Sequence, residues 1–155
     1  MERLQHLEVN PTNLVHFHSF MIGSGLLEKY NKIKKLTLFI PANTTELTVP
    51  EFKSVIPNSL TALNLKFELS YNSTQNAIHH NLSRMVAESY TITDLKLDTV
   101  AMFSYEIEVS WREALKENIS IVNLKLKNFA NNYSFGGNFL MALKQRKTRL
   151  HSLKL

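Results

Sequence analysis

Ile92-Thr93-Asp94-Leu95-Lys96-Leu97 decides the fold of this chain, because its apolar-x-x-Leu-x-apolar spelling returns at a nearly constant interval on both sides. Towards the C-terminus stand Ile121-Val122-Asn123-Leu124-Lys125-Leu126 and Leu150-His151-Ser152-Leu153-Lys154-Leu155. Towards the N-terminus stand Leu60-x-x-Leu63-x-Leu65, Ile33-x-x-Leu36-x-Leu38 and Leu4-x-x-Leu7-x-Val9. The first residues of successive copies are 29, 27, 32, 29 and 29 positions apart. Six copies in phase are the signature of a stacked repeat array. Within each copy the last two apolar positions are two apart, so they share one face of a short strand while their neighbours face the other way.

Between these strands the periodicity changes. In Ser73 to Tyr90 the apolar residues Ala77, Ile78, Leu82, Met85, Val86 and Tyr90 recur at steps of three and four, one stripe of a helix. Ser104 to Asn118 does the same with Ile107, Trp111, Ala114 and Leu115, and Ser110-Trp111-Arg112-Glu113 has the spacing of a capping box. Gly136 to Lys147 follows with Phe139, Leu140 and Leu143. In the second copy Pro41, Pro50 and Pro57 leave no room for a long helix, and an extended or 3₁₀ segment is expected there. Strand, helix and strand in succession make βαβ units, which pair their strands in parallel with the helices on one side. The expected architecture is a single α/β domain over 1–155: a curved parallel sheet on the concave face, helices on the convex face, about five repeats plus a sixth strand.

These residues resemble the leucine-rich repeat family, in particular its ribonuclease-inhibitor-like repeats of about 28 to 29 residues, over essentially the whole chain. The stretch Ile56-Pro57-Asn58-Ser59-Leu60-Thr61 also resembles the FNIP class of slime-mould leucine-rich repeats, but occurs once. The family often places Asn or Cys three residues after the last strand leucine, to hydrogen-bond the turn. Here those positions read Thr12, Pro41, Glu68, Val100 and Phe129, so the turns are expected to draw on nearby Asn, Ser and Thr instead. The resemblance implies a scaffold, an inhibitor or a recognition arm that acts through an extended surface.

The chain has no cysteine, no basic-then-apolar signal segment and no apolar run of the roughly 20 residues that span a membrane. An intracellular protein, in cytoplasm or nucleus, is expected. Five N-x-S/T sequons begin at Asn43, Asn72, Asn81, Asn118 and Asn132; about two would arise by chance in so Asn-rich a chain, and they are read as chance. The array opens and closes on a strand, which leaves its ends uncapped and suggests a fragment of a longer array, self-association or capping by another subunit.

The register sorts the outward residues into three columns. The first is His6, Lys35, Ala62, Asp94, Asn123 and Ser152; the second is Glu8, Thr37, Asn64, Lys96, Lys125 and Lys154; the third is Asn10, Phe39, Lys66, Asp98 and Lys127. Lysines on adjacent strands, about 4.8 Å apart, form a ladder of like charge that Asp94 and Asp98 partly neutralise. Charge is also uneven along the chain: of a net +5, residues 118–155 carry seven Lys or Arg and no Asp or Glu, and the remainder sums to −2. Such lysines are either ordinary solvent-facing strand residues or a docking surface for an acidic protein segment or nucleic acid. Phe39 either anchors a partner or folds into the irregular second repeat. The candidate partner-binding residues are therefore Phe39, Lys66, Asp94, Lys96, Asp98, Lys125, Lys127 and Lys154. Lys144, Arg146, Lys147 and Arg149 make a second basic cluster suited to a helix C-terminus.

No catalytic constellation emerges. His16-Phe17-His18 would set two imidazoles on one side of an extended segment without a third ligand, and His79-His80 reads as helix surface. Gly23-Ser24-Gly25 lacks the Lys-Ser/Thr of a phosphate loop and reads as a turn or helix start. Trp111 reads as core, and Glu106, Glu108, Glu113 and Glu117 as the outer face of a helix. No metal, cofactor or enzymatic activity is expected. The leading expectation is a non-enzymatic protein-interaction module without membrane contact; the alternative is a nucleic-acid-associated subunit using the basic C-terminal quarter.

Overall fold

A computed structural model describes residues 5–10, 14–23, 32–41, 49–68, 74–99, 104–127 and 135–155. The strands are β1 (His6–Val9), β2 (Lys35–Ile40), β3 (Ala62–Phe67), β4 (Asp94–Thr99), β5 (Asn123–Lys127) and β6 (Ser152–Lys154). The helices are α1 (Leu14–Gly23), α2 (Val49–Val55), α3 (Thr74–Ala87), α4 (Tyr105–Glu117) and α5 (Phe135–Lys144). All strand pairs are parallel and the sheet order is β1-β2-β3-β4-β5-β6, so the fold is α/β with an open parallel sheet in chain order.

Every strand begins two residues into one of the six repeated stretches. The leading apolar residue sits just ahead of it, buried at Ile33, Leu60, Ile92 and Ile121. Leu36, Leu63, Leu95 and Leu124 line up in register, as do Leu38, Leu65, Leu97 and Leu126. All eight are buried in a core that takes in Phe52 of α2, Ile78, Leu82, Met85 and Val86 of α3, Ile107, Trp111 and Leu115 of α4, and Phe139 of α5. Each such side chain contributes roughly 1.5–3 kcal/mol once covered. The parallel pairing follows because neighbouring strands present the same spelling in the same direction.

Each junction between repeats is built alike. The carbonyls of Gln5, Lys34, Thr61, Thr93 and Val122, the second residue of successive repeats, each accept two backbone N–H bonds from the repeat that follows, at 2.7–3.2 Å. Side chains reinforce the seams at the entries to the strands. Ser59 Oγ donates to the Ile33 carbonyl at 2.7 Å, and Ser120 Oγ to the Ile92 carbonyl at 2.8 Å. Asn118, only 1% exposed, ends α4 and donates its amide to the carbonyls of Val86 (2.7 Å) and Ser89 (3.0 Å). Its Oδ1 accepts from the backbone N–H groups of Ser120 and Ile121. Asn118→Ala is expected to lower unfolding stability by about 2 kcal/mol, because it strands buried donors and acceptors. Urea denaturation checks this; a midpoint unchanged within error would show that the seam does not depend on it.

Several expectations are corrected. The second repeat carries a short α-helix, not an extended or 3₁₀ segment. Pro50 is tolerated because it falls in the first turn, where N–H groups have no intrahelical acceptor, and Phe52 fills the core from α2. The N-cap of α4 is Ser104, whose Oγ accepts from the Ile107 N–H at 3.3 Å; Ser110 lies inside the helix and donates to the Glu106 carbonyl. Tyr90 stands beyond α3 and is 80% exposed. Residues 16–18 are helical and Gly23 ends α1 instead of starting a helix. Glu108 is buried beside Arg112 at 3.4 Å, and burial pushes its carboxyl up. His79 is buried as well. Leu4, Thr12, Val100, Phe129, Ser24, Gly25 and the sequon residues Asn43, Asn72 and Asn132 lie outside the described residues.

Candidate functional site

The core leucines occupy one face of the sheet, and the residues between them stand on the other. Pairing reproduces the columns: Lys35, Ala62, Asp94, Asn123 and Ser152 are partners in succession, as are Thr37, Asn64, Lys96, Lys125 and Lys154. Phe39, Lys66, Asp98 and Lys127 make the third row, and Asn10 lies just beyond β1. The eight candidate residues therefore share one surface, with Asp94 in the first row, Lys96, Lys125 and Lys154 in the second, and the other four in the third. Thr37 departs from expectation. It is buried, its hydroxyl flanked by His6 at 3.2 Å and Asn64 at 3.4 Å.

Electrostatics divide the surface. In the third row Lys66 Nζ lies 4.4 Å from the centre of the Phe39 ring, a cation–π contact that leaves Phe39 half-buried on the face. The Asp98 carboxylate is shared between Lys127 at 3.6 Å and Lys96 at 3.9 Å. Asp94 does not neutralise the ladder as expected: Asn123 Nδ2 at 2.8 Å and Thr93 Oγ1 at 2.7 Å occupy its oxygens. Lys125 and Lys154 are exposed and form no ion pair among the described residues. Burial holds the Lys96 ammonium below the usual lysine range; Lys125, Lys127 and Lys66 push the same way and Asp98 opposes them. A lysine depressed by burial and by like neighbours gains when an anion arrives.

Between the first and second rows lies an open trough of about 490 Å³ whose walls run from Lys35 on β2 to Lys154 on β6. Its lining comes from five strands but only a few residues of each, so its long axis crosses the sheet. A second hollow of about 370 Å³ lies at the C-terminal ends of the strands, around Phe39, Lys66, Asp98 and Lys127. Lys35, Asn64 and Asn123 border the trough although none was among the residues singled out. The signal that finds them is Ala62, the smallest side chain in the first column, which lowers the floor beside them.

The remaining candidates do not converge. Arg146 is 8% exposed and donates Nη2 to the Ile121 carbonyl at 2.7 Å, so it serves a seam between repeats and leaves the basic cluster that sequence suggests. His16 and His18 are two residues apart on a helix, about 200° around its axis, and cannot chelate together. His79 and Trp111 pack against Phe67 in the core. Among the described residues no three His, Cys, Asp or Glu side chains are placed to hold a metal ion, and no helix is long and apolar enough to cross a membrane. The trough is lined by the ammonium groups of Lys35, Lys96, Lys125 and Lys154, the amides of Asn64 and Asn123, the Ser152 hydroxyl and the Asp94 carboxylate, whose oxygens accept from Asn123 and Thr93. No protein-family model matches the chain, and a search of curated proteins finds no match.

Proposed function

We propose that this chain is a leucine-rich repeat solenoid acting as a non-enzymatic protein-interaction module, with the open sheet face as the binding surface for an acidic protein segment. The observation that carries this reading is the row Lys96, Lys125 and Lys154, three cations in direct register on adjacent strands, two of them without an acidic partner among the described residues. Like charges about 4.8 Å apart raise the energy of the free face, and a carboxylate-bearing partner relieves it. The six-fold recurrence of one spelling, and the identical double hydrogen bond at each junction, support the family.

We also place the protein inside the cell. The chain has no cysteine, and the Asn118 sequon has its amide committed to two internal carbonyls. The second reading is a nucleic-acid-associated subunit, favoured by the seven-to-none excess of basic residues in 118–155. It is weaker because those residues do not form one surface: Lys125, Lys127 and Lys154 stand on the sheet, Lys144 closes α5, and Arg146 is withdrawn into the interior.

Affinity capture from the source cells, before and after nuclease, separates the two. A stoichiometric protein set that survives nuclease is expected. The triple reversal Lys96→Glu, Lys125→Glu and Lys154→Glu is expected to weaken its retention at least 30-fold, about 2 kcal/mol, in a chain that circular dichroism shows to be folded despite the loss of the Lys96–Asp98 ion pair. Loss of the set on nuclease treatment, or retention unchanged by the reversal, would remove the sheet face as a protein-binding site.

A further inference from the structure

The proposed function leaves the form of the acidic segment open, and the trough constrains it. We propose that the occupant is an acidic α-helix laid across the strands, with carboxylates at positions i, i+3 or i+4, and i+7 facing Lys96, Lys125 and Lys154. This rests on the reading of the face as a site for an acidic segment and specifies what that segment must be.

Spacing makes the choice. The three lysines lie on successive strands, β4, β5 and β6, so the outer two are two strand intervals, about 9.6 Å, apart. Seven residues of α-helix rise about 10.5 Å, a mismatch of about 1 Å that flexible lysine side chains absorb. An extended segment crossing the same strands repeats a face every ~6.7 Å, so its first and third carboxylates stand about 13.4 Å apart, nearly 4 Å too far. An extended segment running parallel to the strands would meet only one lysine of the row. The helix alone brings one carboxylate per turn to one lysine per strand.

The trough has the matching direction. It crosses β2 to β6, about 19 Å, the length of roughly 13 helical residues. Its first row is uneven: Ala62 and Ser152 give a rod room to settle against the lysine row, while the Asp94 carboxylate, its oxygens accepting from Asn123 and Thr93, stands on the same wall and keeps the carboxylates of the helix to the lysine side. The lysine row also carries a direction, because it begins at Glu8 on β1 and ends in three lysines on β4 to β6. The carboxylates therefore belong to the half of the helix over β4 to β6, and its other half lies over the uncharged Thr37 and Asn64 of the same row.

Three synthetic peptides of about 13 residues test this by fluorescence anisotropy with the whole chain at low ionic strength. The first is an alanine-based helix with Glu at i, i+4 and i+7. The second has the same charges and a central proline, and the third has the same composition with the three Glu spread around the helix. The first is expected to bind at least tenfold tighter than either of the others, and to lose that advantage against the Lys96→Glu, Lys125→Glu, Lys154→Glu chain. Equal binding of the proline peptide would overturn the helical occupant while leaving the acidic-segment reading standing. Failure of all three to bind, or tighter binding of a DNA duplex of equal charge, would overturn both.

Discussion

Trp111→Ala is expected to lower the stability of the fold by about 4 kcal/mol, the largest effect of any single substitution outside the leucine rows. Trp111 is the only tryptophan and is 0% exposed. It projects from α4 into the space between helix and sheet, where its ring meets Phe67 of β3 edge-on at 6.4 Å and His79 of α3 at 6.3 Å. One side chain thus ties two helices to one strand. Truncation removes the transfer free energy of the indole, leaves a cavity that the surrounding sheet cannot close, and forfeits aromatic pairing of about 0.5–1.5 kcal/mol. It also deletes the Nε1–H that donates to His79 Nδ1 at 3.0 Å, stranding a buried acceptor. Trp111→Phe, which keeps most of the apolar volume but not the donor, should fall between. Urea unfolding followed by circular dichroism measures both, and a loss below about 1.5 kcal/mol for the alanine variant would mean that α4 is held by its other apolar residues instead.

The second large effect is a loss of stability in acid that runs through His79. Its ring is 2% exposed, stacked on Phe67 with centroids 4.1 Å apart, and burial pushes its pKa down from 6.5 to about 3. Because Nδ1 accepts from the indole, the neutral ring carries its proton on Nε2. In the folded chain the imidazole stays neutral almost to pH 3, whereas in the unfolded chain it takes up a proton below about 6.5. The unfolded state therefore binds more protons throughout that window. Stability is full above pH 6.5 and falls by about 1.4 kcal/mol for each unit down towards the folded value, or roughly 3 kcal/mol by pH 4. Glu88 adds in the same direction, since its hydrogen bond with Lys53 lowers its pKa; Glu108, raised by burial, opposes it. His79→Gln keeps an acceptor for Trp111 and removes the titration. The difference in slope between the two chains from pH 6.5 to 4 isolates the histidine, and parallel curves would show that His79 is protonated in the folded state.

The parallel sheet and its register were legible because strand pairing depends on a period of two and on spelling that recurs in phase. Leu95 beside Leu124 and Lys96 beside Lys125 follow from that alone. Helix existence was legible wherever a stripe of three and four was long, as at Ile78, Leu82, Met85 and Val86. It was hidden in α1, which is apolar almost throughout and has no polar face to set a period, and in α2, where prolines that punctuate the ends look like prolines that break the middle. Burial of individual polar residues was the least legible. Nothing in the order of letters distinguishes His79, which faces the sheet, from His80, which does not; that depends on where Trp111 arrives from a helix 32 residues later. Arg146 and Asn118 likewise reach carbonyls 25 and 32 positions away. On the candidate face, sequence placed every residue in its row but not its ties: Asp94 meets neutral donors, and Phe39 lies under Lys66.

The seams between repeats share a backbone plan, and two of them also share a side-chain bridge: Ser59 and Ser120, each just ahead of its repeat, donate to the carbonyl of the leading isoleucine of the repeat before. One is bridged by Ser59, another by Asn118 and Ser120 together, and the last described one by Arg146 reaching the Ile121 carbonyl. Units cut at the same phase would fit one another's backbones, and the two headed by serine would also restore the bridge, whereas the last brings Arg146 to the equivalent carbonyl. The order of the units is therefore only partly written into the molecule: exchanging two serine-headed units keeps this bridge, and moving the last one loses it.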